Sequence, residues 1–535
     1  MARRGTTLKW TGRVAVFILI CLAILSGCVY PSLNDVASSS ATTVQGSATQ
    51  GPLLTVDPSP AGSTPSVLSS PLPTVPNQVV MPASSSTPTL YTQVPAQYDL
   101  DATLDYEQHT LSVDEEIKYK NFSSDSLGDL ILVIEPNLTP GGFTLLSMTW
   151  ENGDAIEPST LENNLLRIPL LQPLQPGAEL RIKLSYYSSL PELTDISIGY
   201  RPVAFGYSSA QTNLADWYPY VPPYRTGKGW LVHAPWVFGE YQVYDVADFN
   251  VNVTLAQPDS DLVIAASAPA LKDGDCYTYH LEAARTFTLS ASTEYIVQTA
   301  TVGEVTIYSY SFPFDKYAGQ EALDTTADAV RLYSQLFTPY LHTILSVVEA
   351  DFLDGMEYDG LYFLSRGFYD LYDGTPKGYL TFIAAHETAH QWWYGLVGND
   401  QAMEPWLDEA LCTYMERVFY ENIYSDYPPG SGGSLVDWWW YYRVNFYHPV
   451  GWVDDTLYDF VDTRAYRDAI YLNGAKFLQD LRNLVGDQAF FAALKDYATN
   501  NAYKIATAQD FFASVRRHTS QNLDGILSSY FQSSK

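Results

Sequence analysis

Basic residues are scarce in this chain: 29 lysines and arginines stand against 60 aspartates and glutamates, a formal net charge of −31. A surface field of that sign repels polyphosphates, so nucleic acid is excluded as a natural partner. Cysteines are fewer still, at four. Cys21 and Cys28 fall near the N-terminus, while Cys276 and Cys412 lie far apart, so no disulfide framework is legible. A body of this size can rely on core burial instead. Histidines number only eight, which makes any close pair of them informative. Also missing is a second long apolar run. The one present, Val14 to Leu25, is shorter than a membrane span requires and follows Arg3, Arg4, Lys9 and Arg13.

That N-terminus reads as a secretory signal, with an uncleaved anchor as the alternative. It ends in Leu25-Ser26-Gly27-Cys28, which resembles the lipobox of bacterial lipoproteins, and the resemblance implies a signal over residues 1–28 and a lipidated Cys28. Residues 29–97 are dominated by Ser, Thr and Pro, with Asp35 and Asp57 as their only charges. Such a stretch cannot bury a core. As a flexible coil it spans about 40 to 50 Å root mean square, a tether that holds a folded body off the lipid. The expectation is an exported protein anchored to the cell membrane or envelope, its body outside the cytoplasm.

The body begins with "YDLDATLDY", which places Tyr98, Leu100, Ala102, Leu104 and Tyr106 on one face. Period-two alternation of this kind predicts a half-buried strand. "LSVDEEIKY" repeats it with Leu111, Val113, Ile117 and Tyr119, and similar runs recur to about residue 300. Residues 98–300 are therefore expected to be an all-β domain. Afterwards the spacing turns helical, from Asp315 to about Leu341, then extended in "LSVVEADF", then mostly helical from Tyr379. Residues 301–535 are expected to form a second domain of α+β type, with "YPPGSGGS" as a loop.

Within it, "AAHETAHQWWYG" carries two histidines four apart. On a helix, His386 and His390 share a face about 6 Å apart along the axis and can offer two imidazole nitrogens to one metal ion, with Glu387 to one side. In a chain with so few histidines this arrangement arises by chance in fewer than roughly one sequence in a hundred. A third ligand is needed, and Glu409 follows nineteen positions after His390 at the start of another helical pattern. The metzincin arrangement needs Gly and His where Trp393 and Leu396 stand, so it fails. Trp392 and Trp393 are expected in the core, since aromatics bury the most area per residue.

His386-Glu387-x-x-His390, eighteen intervening residues and Glu409 inside "WLDEA" resemble the gluzincin signature of the aminopeptidase N (membrane alanyl aminopeptidase) family. "DGMEY", Asp354 to Tyr358, is similar to that family's Gly-x-Met-Glu-Asn exopeptidase motif, and "YLNGAKFLQDL" to its Tyr-x-x-Gly-Ala segment. The resemblance implies a β sandwich or saddle followed by a thermolysin-like catalytic domain, α+β overall, in a short bacterial lipoprotein-type member. It implies one zinc ion per chain held by His386, His390 and Glu409, with Glu387 as general base toward a zinc-activated water and Tyr471 as the transition-state tyrosine. Tyr466 lies near enough in sequence to line the same pocket. Glu357, with Gly355 and Met356, is assigned to the substrate's free α-amino group. Gln211, in "SSAQTNLADWYPYV", is matched to a glutamine of the amine pocket.

The implied function is hydrolysis of the N-terminal peptide bond of peptides, with a zinc endopeptidase or a non-catalytic peptide-binding surface lipoprotein as alternatives. Two departures are visible. Asp354 and Tyr358 replace the motif's Gly and Asn, and the chain ends too soon after the helical sequence "NLDGILSSYF" for a large C-terminal helical domain, so a more open site is expected. "GLYFLSR", Gly360 to Arg366, reads either as a strand that pairs with substrate backbone or as a buried sheet strand.

Overall fold

The structure is a computed structural model that describes residues 93–157, 160–193 and 204–532. The signal, Cys28 and the tether as far as residue 92 lie outside the described residues. The first strand runs Ala96–Asp105, so it opens two residues inside the expected tether. Tyr98, Leu100, Ala102 and Leu104 are buried as the alternation predicts, and Tyr106 falls in the turn beyond the strand. In the antiparallel partner Thr110–Lys120 the same face continues through Leu111, Val113, Ile117 and Tyr119, but Glu115 also occupies an inward position.

These two strands lie inside a seven-stranded sheet whose order is Leu271–Asp273, Cys276–Ala284, Ala247–Leu255, Ala96–Asp105, Thr110–Lys120, Glu179–Ser189 and Thr144–Trp150. Only Ala96–Asp105 with Ala247–Leu255 is a parallel pair. A three-stranded sheet, a four-stranded sheet and the short pair Tyr224–Arg225 with Gly229–Trp230 complete the β region, and Leu, Val, Tyr and Phe side chains form its core.

Another sheet opens at Ile296 and has the order Ile296–Val302, Val305–Ser311, Ile344–Ala350, Leu361–Ser365, Gly355–Tyr358. Its interior strands are parallel and buried on both faces, which is why "ILSVVEA" and "LYFLS" read as unbroken rather than alternating runs. Leu361–Ser365 is flanked on both sides, so of the two readings of "GLYFLSR" the buried sheet strand is the one observed. The strand at the edge is Gly355–Tyr358, antiparallel to its neighbour.

Helix Lys316–Leu336 packs against this sheet and against the helix Tyr379–Ala389, which in turn meets the helix Glu409–Ile423. Tyr333 joins all three: its hydroxyl lies 3.2 Å from the Ala385 carbonyl and 3.1 Å from that of Met415. Trp392, Trp393 and Trp406 are fully buried around them, as expected for the tryptophan pair. Truncating a side chain of this size in a packed core costs about 3 to 5 kcal/mol. The helices Gly474–Val485, Asp487–Asn500, Ala508–His518 and Asp524–Tyr530 close the far side. No helix of the described residues is long and apolar enough to cross a membrane.

Candidate active site

Helix Tyr379–Ala389 is apolar almost all round, and every residue from Leu380 to Ala389 is buried. A helix so placed exposes its polar side chains only to whatever the protein puts against them. His386 and His390, one turn apart, have ring centroids 4.8 Å from each other. Glu409, in the first turn of its own helix where the dipole favours a carboxylate, faces both. Its Oε2 lies 3.1 Å from His386 Nε2 and 3.7 Å from His390 Nε2.

The other imidazole nitrogens are taken. His386 Nδ1 is 3.0 Å from Glu416 Oε1, and His390 Nδ1 is 2.6 Å from Asp408 Oδ1. Glu416 is itself held by Arg443, with two contacts of 2.9 Å, and by Trp439 Nε1 at 3.0 Å; Asp408 accepts from Gln401 at 2.7 Å. Carboxylates in these positions fix the Nδ1–H tautomer and leave both Nε2 lone pairs free.

The three donor atoms suit zinc. Tetrahedral ligands at about 2.0 to 2.1 Å stand about 3.3 Å from one another, close to the separations of 3.1 and 3.7 Å found here. His₂Glu is a catalytic zinc set that keeps one position open. Glu387 stands beside it, with Oε2 buried and without a hydrogen-bond partner. Burial drives its carboxyl well above the ordinary range, and Glu357 and Glu409 add to this. A cation at the focus of the two histidines and Glu409 is what this concentration of buried carboxylates calls for.

Of the motif residues, Gly355 touches Glu387 directly, since a Cβ there would overlap the Glu387 carboxylate. Asp354 stands where the family's motif has glycine and sits at φ +71°, so the backbone turn that glycine favours is kept without it. Its own Oδ1 accepts from Gly355 N at 3.1 Å, local support that lets Asp adopt this region. Glu357 is buried, one oxygen unpartnered, and burial raises its pKa to about 7. It faces the site: Glu357, Glu387 and His390 form one tight group, and Glu240, Glu357 and Glu409 another, with donor atoms within 4.8 Å in each. Met356 and Tyr358 join Glu240, Gln242, Tyr244 and Tyr394 around a cavity with room for about one water beside Glu357.

Tyr471 lies in a π-helical stretch, Arg467–Asn473, its ring parallel to that of His386 with centroids 6.1 Å apart. Burial, reinforced by the neighbouring Glu409, keeps its phenol protonated far beyond neutral pH. Tyr466 packs edge-on against it, centroids 5.6 Å apart.

Gln211 is buried and hydrogen-bonded within the protein. Its amide nitrogen is 2.5 Å from Tyr295 Oη and 3.1 Å from the Glu349 carbonyl, and its oxygen accepts from Asp351 N at 2.6 Å. It fastens the β region to the strand Ile344–Ala350.

Several site residues escaped the sequence. Glu416 follows Glu409 by seven positions, two helical turns on the same face, so periodicity could have found it. Asp408 is adjacent to Glu409, yet adjacency gives no sign of a bond to His390. Glu240 lies in irregular chain between strands and carries no signal.

Residues 321–530 match the profile described as Peptidase family M1 domain. Among curated proteins, the chain is 26% identical over 228 residues to Aminopeptidase M1-D of Oryza sativa subsp. japonica, covering 40% of this chain and 25% of that protein. It is 24% identical over 373 residues to Leucine aminopeptidase 2 of Aspergillus terreus, covering 65% of this chain and 57% of that one. The chain thus spans about a quarter of the length of the rice relative. Its fold is shared with an M1 zinc metallopeptidase from Deinococcus radiodurans, at TM-score 0.56 and 19% identity over 83% of this chain and 95% of the other. The same fold appears in a form of that protein bound to a Tyr-Ser-Ala substrate, TM-score 0.57 and 18% identity over 82% and 95%.

Proposed function

We propose that this chain, a gluzincin of the aminopeptidase N family, is a zinc-dependent aminopeptidase that hydrolyses the N-terminal peptide bond of peptides. The observation that carries the reading is the convergence of His386, His390 and Glu409 at zinc-ligand spacing, with Glu387 beside them and Glu357 facing the same point.

His386, His390 and Glu409 hold the metal, while Asp408 and Glu416 orient the two imidazoles. Bound there, zinc supplies Lewis acidity and makes a nucleophile available at neutral pH. Glu387 takes the proton of the attacking water and passes it to the leaving amine. Tyr471, protonated, donates its phenolic O–H to the oxygen that becomes anionic as the carbonyl is attacked.

Glu357 and Glu240 receive the substrate's terminal ammonium. A charge-assisted contact of this kind is worth roughly 1.5 to 3 kcal/mol, and an internal peptide bond has no ammonium to offer. That difference favours trimming of ends over cutting within a chain. The small lined cavity beside Glu357 is consistent with a group the size of an ammonium. Gly355–Tyr358, at the sheet edge, is placed to pair with substrate backbone.

Replacing the base distinguishes an enzyme from a peptide-binding module. Glu387→Gln is expected to retain one zinc per chain and peptide affinity while losing hydrolysis by at least about three orders of magnitude. Undiminished turnover in that variant would remove Glu387 from the chemistry.

The lipobox-like Leu25-Ser26-Gly27-Cys28 supports export and anchoring through a lipid on Cys28. Labelled fatty acid is expected to enter the parent chain and not Cys28→Ser; equal labelling, or none in either, contradicts the anchor.

A further inference from the structure

We propose that Arg285 is a positioning residue for substrate binding: from the β region, its guanidinium holds the loop that follows His390 and so sets the tyrosine wall of the ammonium pocket. The inference rests on the aminopeptidase reading and deepens it.

Arg285 follows the strand Cys276–Ala284 and is almost wholly buried, at 3% exposure. Its donors are spent on backbone carbonyls from three separate stretches of chain. Nε lies 2.6 Å from the carbonyl of Tyr394 and 3.1 Å from that of Gly395. Nη1 is 2.9 Å from the Tyr244 carbonyl, and Nη2 is 3.1 Å from that of Lys504 and 3.4 Å from that of Leu396. A planar fork with five N–H groups can span such a set, whereas a lysine ammonium is a single point with three.

The residues it grips are the ones that shape the pocket. Tyr244 and Tyr394 both line the small cavity beside Glu357, their rings edge to face with centroids 6.5 Å apart. Tyr394 sits at φ +149°, a backbone conformation that a large side chain adopts only when its surroundings impose it. The Nε bond to its carbonyl is the shortest contact the guanidinium makes.

The opposite wall is tied to the same place. Arg285 N donates to Asp359 Oδ2 at 2.6 Å, and Asp359 N donates to Thr286 Oγ1 at 3.1 Å, directly after Glu357 and Tyr358 in the edge strand's sequence. Arg285 and Thr286 therefore bracket the pocket from both sides without touching substrate. Space for the guanidinium is made by Gly398, where a Cβ would overlap Cζ and both terminal nitrogens.

Two variants of the full chain test this: Arg285→Lys, and Gly398→Ala, which crowds the guanidinium while leaving the arginine in place. Both are to be loaded with zinc, and kcat and KM compared on an alanyl anilide with a free amine. A displaced wall weakens binding of the ammonium, so KM is expected to rise about ten- to a hundredfold while kcat and zinc content stay near the parent's. If Arg285→Lys does not fold, Gly398→Ala decides alone. A fall in melting temperature with KM unchanged, or kcat and zinc lost together, would overturn the proposal in favour of plain structural bracing. Parent protein that cleaves N-acetylated peptides as well as free ones overturns the aminopeptidase reading, and this inference with it.

Discussion

Tyr471 stands parallel to His386 with its phenol kept protonated by burial and by the adjacent Glu409. A donor that stays neutral costs no proton rearrangement when negative charge develops on the substrate oxygen, and one such donor is worth about 3 to 4 kcal/mol. Tyr471→Phe is therefore expected to keep its zinc and lose about two to three orders of magnitude in kcat, measured on a free-amine anilide. Near-parental turnover would take Tyr471 out of the mechanism. At this scale much of the site was legible, because zinc chemistry restricts residue type and helical spacing so tightly: His386, Glu387, His390 and Glu409 could be named from the chain alone. Gln211 could not be judged that way. A glutamine's role depends on where its amide points, and here it points to Tyr295 and the backbone of Glu349 and Asp351. Arg285 and Glu240 were equally invisible, since the groups each meets in the fold are far away in sequence.

The strand Ile344–Ala350 shows how an element can conceal a titrating group inside an apolar run. Glu349 is fully buried in it, one carboxylate oxygen accepting from Phe312 N at 2.7 Å. Burial, with Asp315 close by, raises its pKa to about 9 from an ordinary 4.5. Between those two values the folded chain keeps a proton that the unfolded chain has released, so the folded state binds more protons and stability falls as pH rises. Glu349→Gln removes that liability. The melting temperature of the variant minus that of the parent is expected to grow between about pH 5 and pH 9, and a difference independent of pH would contradict the shift. The elements themselves were read with uneven success. Alternation gave away Ala96–Asp105, and helical spacing gave away Lys316–Leu336, because each has one wet face. Strands buried on both faces have no alternation, so the order that puts Gly355–Tyr358 at the edge and Leu361–Ser365 inside was settled only by pairing.

The described residues fall in one compact unit, in which β region and helical region are fastened by buried polar bonds such as those of Gln211 and Arg285. Composition foretold the acidic character, and the switch from strand to helix periodicity foretold the two architectures, but not the bonds between them. Most of their partners are backbone groups, which carry no sequence signature. The net charge of −31 gives the molecule a field that attracts cations and repels polyanions. The claim on which everything else depends is that this acidic body is a zinc aminopeptidase. It is tested most directly by measuring hydrolysis of a panel of aminoacyl chromogenic substrates beside matched N-acetylated peptides, with and without a zinc chelator. Release from free amines alone, abolished by the chelator and restored by zinc, is the predicted result. Equal cleavage of blocked or internal bonds, activity indifferent to the chelator, or no hydrolysis of either class would contradict it.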